Sequence, residues 1–568
     1  MPLSTRARVV LWIVHGAAFS VLAVTCLQYL NRPMRWDEVE LAWQAREGVR
    51  VNGAPMIKLE QSLREMPAAE ARFGAFYGLW HPPLYVYLLA LATLAGPGDA
   101  WLRAVGVVCL GLSFGIIWRM SRDALGADAP RLVVALPISF AVFSPIVTQG
   151  SLYVDIDNTI LATLMLLFLW QFTQPGDRLT PRRLAWLVAL LTLMLCAKLT
   201  TLPMVWLACV VYAAAGDRPR RDLLAVTIVG AGAVAVFGVM YAAYCAAFRL
   251  PLGYMFDLGF GGRFDLFGSL KTVAQVIRSA RWNLAWMSPV LAVLLAGVAV
   301  ERVAAYVRTR RVTPPDAWLI LSLGMYVAYV LLGAMMGKYA MPAALMGAAA
   351  VGLRAGRGWA DWRLPGWPVI GGWLIVLAAA VVMLPVPIQR TAASTPPGRI
   401  AGDPRLWAVA AIVAAVVWIA RVWVRSAPGS WHGDRSSLAG LSVALSLAVI
   451  TPIQTARVVF APYDNGPLRA EPERGMRDVI ALLRREVPAS GAIVSLKDIG
   501  YYSERRYIGL EQLMGREPGT LVAITRRDDV WGLVDSALRP LVPPEQLAAL
   551  QVRRRIEIGT YRIYVLAH

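Results

Sequence analysis

The sequence predicts a polytopic α-helical membrane protein of about 13 transmembrane helices with a small α/β domain outside the membrane at its C-terminus. Three observations carry that reading. Of the 568 residues, 58% are hydrophobic and only 16% charged, and the mean hydropathy is +0.55, which is more apolar surface than a water-soluble fold can bury. Apolar runs of about 20 residues recur, separated by short Arg-rich or Pro-rich breaks. After residue 456 the pattern changes to short strands and amphipathic helices. An outer-membrane barrel is excluded, because its strands would alternate polar and apolar residues.

Taken in order, Arg6 and Arg8 precede an apolar run from about Val9 to Leu30 that has no small-residue cleavage site. This predicts a permanent first span with a cytoplasmic start. Further spans are expected near 101–118, 132–149, 152–172, 184–198, 200–215, 223–247, 284–305, 317–336, 339–353, 367–386, 406–424 and 438–455. With that count, the arginine groups at 119–131, 178–183, 218–221, 302–311, 354–363 and 421–435 all fall on the cytoplasmic side. The apolar stretch from Pro82 to Ala95 is too short to cross and is expected as an interfacial helix. The expected organisation is a transmembrane domain over 1–455, with external loops at 31–100 and 248–283, and an extracytoplasmic α/β domain over 456–568.

In the tail, the spacing predicts a helix over Met476 to Arg485, strands at Ala492 to Leu496 and Thr520 to Thr525, and a helix near Val530 to Leu538. A hairpin over Arg553 to Leu566 turns at Gly559-Thr560. No Gly-rich phosphate loop follows a strand there, so a lid or docking module is expected rather than a nucleotide site. The net charge of +20 sits mostly in the breaks between spans, where it orients a membrane protein and does not point to nucleic acid. Cys26, Cys109, Cys196, Cys209 and Cys245 lie in or at the ends of apolar runs with no CxxC pair, which implies neither a disulfide nor a zinc framework.

The residues that suggest chemistry lie on the external side. In Trp36-Asp37-Glu38-Val39-Glu40-Leu41-Ala42-Trp43, Asp37 and Glu40 share one helical face, and Trp36, Val39 and Trp43 share another. A carboxylate placed there can meet a substrate headgroup, although a solvated face at the lipid boundary fits the same spacing. Asp155 and Asp157 open the fourth span and point to different sides of a helix, so one of them faces a cavity, and Asp155 is the favoured residue. Lys198 ends the fifth span and Lys338 starts the tenth in Gly337-Lys338-Tyr339. Snorkelling anchors and phosphate clamps both fit those positions. The loop Gly259-Phe260-Gly261-Gly262-Arg263-Phe264-Asp265, with Lys271, Arg278 and Arg281 after it, adds external cations.

The order of these motifs carries a resemblance. Asp37-Glu38 after the first span, His81-Pro82-Pro83-Leu84-Tyr85, Leu102-Arg103-Ala104, Ser144-Pro145, Asp155 and Lys338-Tyr339-x-x-Pro342 resemble the type C glycosyltransferases. The likeness is greatest to the branch of protein O-mannosyltransferases and the lipid A aminoarabinose transferase, and it covers roughly the first 350 residues. The resemblance implies a hexosyl- or pentosyltransferase that takes a sugar from a polyprenyl-phosphate donor and inverts the anomeric carbon. The acceptor would be a cell-envelope glycan, glycolipid or protein on the outer face of a bacterial inner membrane. It assigns Asp37 as catalytic base and Glu38, His81, Asp155, Arg263, Lys338 and Tyr339 as substrate-binding residues. A divalent metal is a further expectation, with Glu38, His81 and Asp155 as ligands. The spans from about 367 onward match no family motif. The competing classes are a transporter or lipid flippase, which calls for inverted repeats and midplane charges, and a noncatalytic membrane scaffold.

Overall fold

The computed structural model describes residues 3–357 with breaks, chiefly at 59–63, 66–75, 254–288 and 332–336, and then 475–487, 492–494, 497–504, 506–508, 522–526, 552–558 and 561–566. The chain divides into two compact units. One is built on the described parts of Met1–Leu30, Gly106–Val239 and Phe264–Leu468, and the other on those of Asn31–Val105, Met240–Arg263 and Arg469–His568.

The first unit is helical. Its described elements include α1 (Thr5–Tyr29), α6 (Arg131–Val134), α7 (Leu136–Val142), α8 (Pro145–Gly150), a π-helix (Asp157–Leu161), α9 (Ala162–Thr173), α10 (Pro181–Ala197) and α11 (Leu202–Ala214). It continues through α13 (Pro289–Thr309), α14 (Pro314–Leu331) and α15 (Gly337–Gly356). Two long helices, α5 (Asp99–Leu125) and α12 (Pro219–Phe248), contribute most of their length to it.

Three segments among the described residues are long and apolar enough to cross a membrane: Ala7–Tyr29, Asp99–Leu125 and Pro219–Phe248. Their outward faces are apolar, with Trp12, Phe19, Leu27, Val108 and Val239 exposed, as lipid contact requires. The described residues of the stretches 184–198, 200–215, 284–305, 317–336 and 339–353 are chiefly helical, in α10, α11, α13, α14 and α15. Those from 367 onward lie outside the described residues.

Two expected spans are broken. The stretch 132–149 folds as α6, α7 and α8, and the break between α7 and α8 falls where Pro145 removes an N–H donor and pushes Ser144 to an extended conformation (φ −88°, ψ 117°). The stretch 152–172 becomes helical only at Asp157, through the π-helix that leads into α9. Small residues let the inner helices approach closely. Ala343, Ala344, Ala348 and Ala349 of α15 are buried, and a Cβ on Gly352 would lie 2.6 Å from Pro137 Cα on α7. His15 ties α1 to the same region through Ser139 Oγ (2.7 Å) and the Leu132 carbonyl (2.8 Å).

The second unit combines short helices with a sheet. Helix α2 (Asp37–Trp43) runs into a second π-helix (Gln44–Val49) and α3 (Arg50–Asn52), which stops at Gly53 with φ 75°. Of the apolar face expected on this helix, Val39 and Trp43 are buried in protein, and Trp36 lies outside the described residues. Helix α4 (Leu84–Ala92) has nine residues, too few to cross.

The strands are β1 (Met56–Lys58), β2 (Arg64–Glu65), β3 (Phe76–Gly78), β4 (Ala492–Val494), β5 (Arg506–Ile508), β6 (Val522–Arg526), β7 (Val552–Ile558) and β8 (Tyr561–Leu566). β1 and β3 pair with each other, and the other six form one sheet in the order β2-β5-β4-β6-β8-β7. β4 is parallel to β5 and β6, while β8 is antiparallel to β6 and β7. The expected hairpin is thus β7–β8. Helix α16 (Met476–Glu486) buries Met476, Val479 and Leu483 at helical spacing against Ile556 and Ile558. Gly475 precedes it at φ 88°, with Ile558 where a side chain would go. Helix α17 (Lys497–Ser503) follows β4, and the helix expected near Val530 lies outside the described residues.

Candidate active site

In the second unit, Asp37 opens α2 and Glu38 follows it. Glu38 and Arg103 of α5 are 2% and 1% exposed. Arg103 Nη1 lies 2.7 Å from Glu38 Oε1, and Nη2 lies 3.2 Å from Oε2. Nη2 also reaches the carbonyls of Arg32 and Pro33 at 3.3 Å. A planar fork that meets both carboxylate oxygens fixes direction as well as distance. Neighbouring residues sit about 100° apart around a helix axis, so anchoring Glu38 fixes the rotation of α2 at Asp37.

At its other end α2 is held from α17. The rings of Trp43 and Tyr501 meet edge to face at 5.6 Å, and Arg46 donates to the Tyr501 hydroxyl while lying 3.4 Å from Asp99. The Tyr502 hydroxyl donates to Asp99 and accepts the Met34 N–H. Trp43 Nε1 donates to Glu47 Oε1 at 2.5 Å. Burial pushes the Glu47 carboxyl up to about 7, and the Trp43 hydrogen bond opposes that shift. Burial likewise raises Tyr501 and Tyr502 above the ordinary phenol range. The π-helix here is the irregular geometry that frequently marks functional segments.

The first unit holds a separate polar cluster. Lys198 leaves α10 in an extended conformation, and its Nζ lies 2.5 Å from Asp157 Oδ2 and 4.6 Å from the centre of the Tyr339 ring. Tyr339 stacks on Tyr329 at 5.7 Å. Lys198, Asp157 and Asp155 are all buried, and a lysine so enclosed needs both its counter-ion and the ring face. Asp155 Oδ1 accepts the Asp157 N–H at 3.1 Å, which fixes the turn into the π-helix.

Of the residues expected from the sequence, Asp37 and Glu38 stand together on α2, while Tyr339 joins Asp155 in the polar cluster of the first unit. Lys338 lies in the first turn of α15. His81 and Arg263 lie outside the described residues. Asp157, two residues after Asp155, carries an ion pair to Lys198. Among the described residues no group of three or more His, Cys, Asp or Glu is placed to hold a metal ion. Both Glu38 oxygens face Arg103. Sequence reasoning passed over Arg103, Asp157, Tyr501 and Tyr502 as site residues. The available signal for Arg103 was a lone cation entering an apolar span, a position that calls for a buried partner.

Residues 80–244 match the family described as dolichyl-phosphate-mannose-protein mannosyltransferase. No curated protein matches the chain in sequence. Among solved structures, the chain is similar to ArnT from Cupriavidus metallidurans bound to undecaprenyl phosphate, with a TM-score of 0.55 at 15% identity over 99% of this chain and 98% of that one. ArnT from the same organism in the apo state gives 0.49 at 15% identity over 97% of each chain. The chain therefore shares its fold with ArnT, and its residues 80–244 match the model of the dolichyl-phosphate-mannose-protein mannosyltransferase family.

Proposed function

We propose that this protein is a membrane glycosyltransferase that moves a sugar from a polyprenyl-phosphate donor to a cell-envelope acceptor outside a bacterial inner membrane. The observation that carries the proposal is the buried Glu38–Arg103 pair, which immobilises the helix that Asp37 opens. The family match over residues 80–244 and the likeness to a protein crystallised with undecaprenyl phosphate supply the class of donor.

In this reading Asp37 accepts the proton of the acceptor hydroxyl as that oxygen bonds to the anomeric carbon. The bond from the anomeric carbon to the phosphate oxygen breaks on the opposite face, configuration inverts, and polyprenyl phosphate leaves as an anion. Arg263 and Lys338 are assigned to the leaving phosphate, whose growing charge they stabilise. His81 and Tyr339 are assigned to donor positioning. No step runs through a metal.

The test compares source cells that express the native chain or Asp37→Asn at equal level, by mass spectrometry of polyprenyl-phosphate lipids and envelope glycans. Accumulation of one sugar-charged lipid together with loss of one glycan residue is expected, and it names donor and acceptor at once. Unchanged profiles overturn the assignment of Asp37.

A further inference from the structure

Among the described residues of the helical unit, two carboxamides are buried without a hydrogen-bond partner. Gln149 in α8 and Asn158 in the π-helix are each 1% exposed, and neither the nitrogen nor the oxygen of either amide makes a hydrogen bond. Each buried polar group left unpaired costs folding stability. Such groups are rare enough in native proteins to require an explanation.

The two amides share a locality with the polar cluster. A Cβ built on Gly150, next to Gln149, would lie 3.6 Å from Asn158 Cγ and 3.3 Å from Met341 Cγ. Met341 follows Tyr339 by two residues on α15, Tyr339 lies under Lys198, and Lys198 pairs with Asp157, the neighbour of Asn158. Four segments therefore converge: α8, the π-helix, the end of α10 and the start of α15. Met341 is unbranched and adaptable, suited to a wall that gives way when a ligand enters.

The chemistry of the orphaned atoms selects the ligand. A phosphate only accepts hydrogen bonds, so it would satisfy the two amide nitrogens and leave both amide oxygens bare. An ammonium group would do the reverse. Hydroxyls donate and accept, so a polyol completes all four atoms. We propose that Gln149 and Asn158 bind the hydroxyls of the sugar carried by the donor and decide which sugar is accepted. The proposal rests on the glycosyltransferase reading above and deepens it. A site built to hydrogen-bond a hydroxyl discriminates strongly against the analogue that lacks it, because its own buried groups are then left unpaired.

The experiment uses the full chain in lipid nanodiscs, with Gln149→Met and Asn158→Leu. The readouts are the thermal midpoint and the Kd for undecaprenyl phosphate alone and for the same lipid carrying mannose, glucose or arabinose. Both variants are expected to melt at or above the native midpoint, since an orphaned amide is replaced by an apolar group of similar size. Their affinity for the bare lipid stays within twofold, while affinity for the preferred sugar-charged lipid falls at least tenfold. Equal losses for bare and charged lipid, or a lowered midpoint, would make the amides structural and overturn the proposal. Native affinities in both variants overturn it as well, while leaving the enzyme reading intact. If the native chain binds no charged lipid better than the bare one, the enzyme reading and the proposal fall together.

Discussion

Arg103 holds Glu38 through both carboxylate oxygens, and the same guanidinium binds the carbonyls of Arg32 and Pro33 just before α2. One side chain thus fixes both the entry into α2 and its rotation. Burying two charges gains little net stability, but removing one partner leaves the other charged and unsolvated.

Glu38→Gln is therefore expected to lose about 3–5 kcal/mol of stability. The apolar double variant Glu38→Leu/Arg103→Met should recover most of it, because no charge stays buried. Thermal unfolding in detergent checks this. A Glu38→Gln protein that melts with the native one would show that the pair contributes no constraint.

Glu47 makes the second unit sensitive to pH. Its carboxyl titrates near 7 in the folded chain against an ordinary value of 4.5, so the folded state binds the proton more tightly than the unfolded state. The resulting stabilisation is complete below about pH 4.5, is lost as pH rises through about 7, and changes no further above that. It amounts to at most on the order of 3 kcal/mol. Melting curves from pH 4.5 to 8 should slope downward, and Glu47→Gln should flatten the slope. Arg46, Asp99 and Tyr501 are the charged or titratable neighbours in the same network, and they are retained in that variant.

The Tyr502 hydroxyl satisfies both Asp99 and the Met34 N–H. Tyr502→Phe strands the Met34 N–H, leaves Asp99 with Arg46, and should cost about 1–3 kcal/mol. Hydrogen exchange should quicken in α2 and α17, whose packing depends on that contact, while α16 keeps its protection. Uniform loss of protection across the sheet would instead indicate that Tyr502 supports the whole unit.

Gly106→Ala is expected to be the most damaging single-atom change in the helical unit. A Cβ there would lie 1.8 Å from the Ser151 carbonyl oxygen, a backbone atom that cannot rotate away. Relief requires shifting the segment that leads to Asp155 and Asp157. Low yield of monodisperse protein on size-exclusion chromatography is the expected result, and native behaviour would show that α5 can move as a whole.

Much of this was legible in the sequence. Apolar runs announced the helices, and the tail strands at Ala492 and Val522 and the final hairpin followed from alternation, because period and burial are local properties. The breaks at Ser144 and before Asp157 were harder to read. Composition gives the length of an apolar run, whereas Pro145 and a π-turn decide whether it is one helix. The pairing of Asp157 also depends on a tertiary partner, Lys198, which follows the end of α10. Adjacent acidic residues cannot reveal which of them a distant lysine will reach.

Strand β2, Arg64–Glu65, pairs with β5 so that Arg64 stands opposite Tyr507. The ribosome releases these two strands far apart in time. The segment that carries β2 must therefore wait, with a polar backbone edge unpaired, until β5 has been made. Chains that end before β5 would carry that open edge permanently.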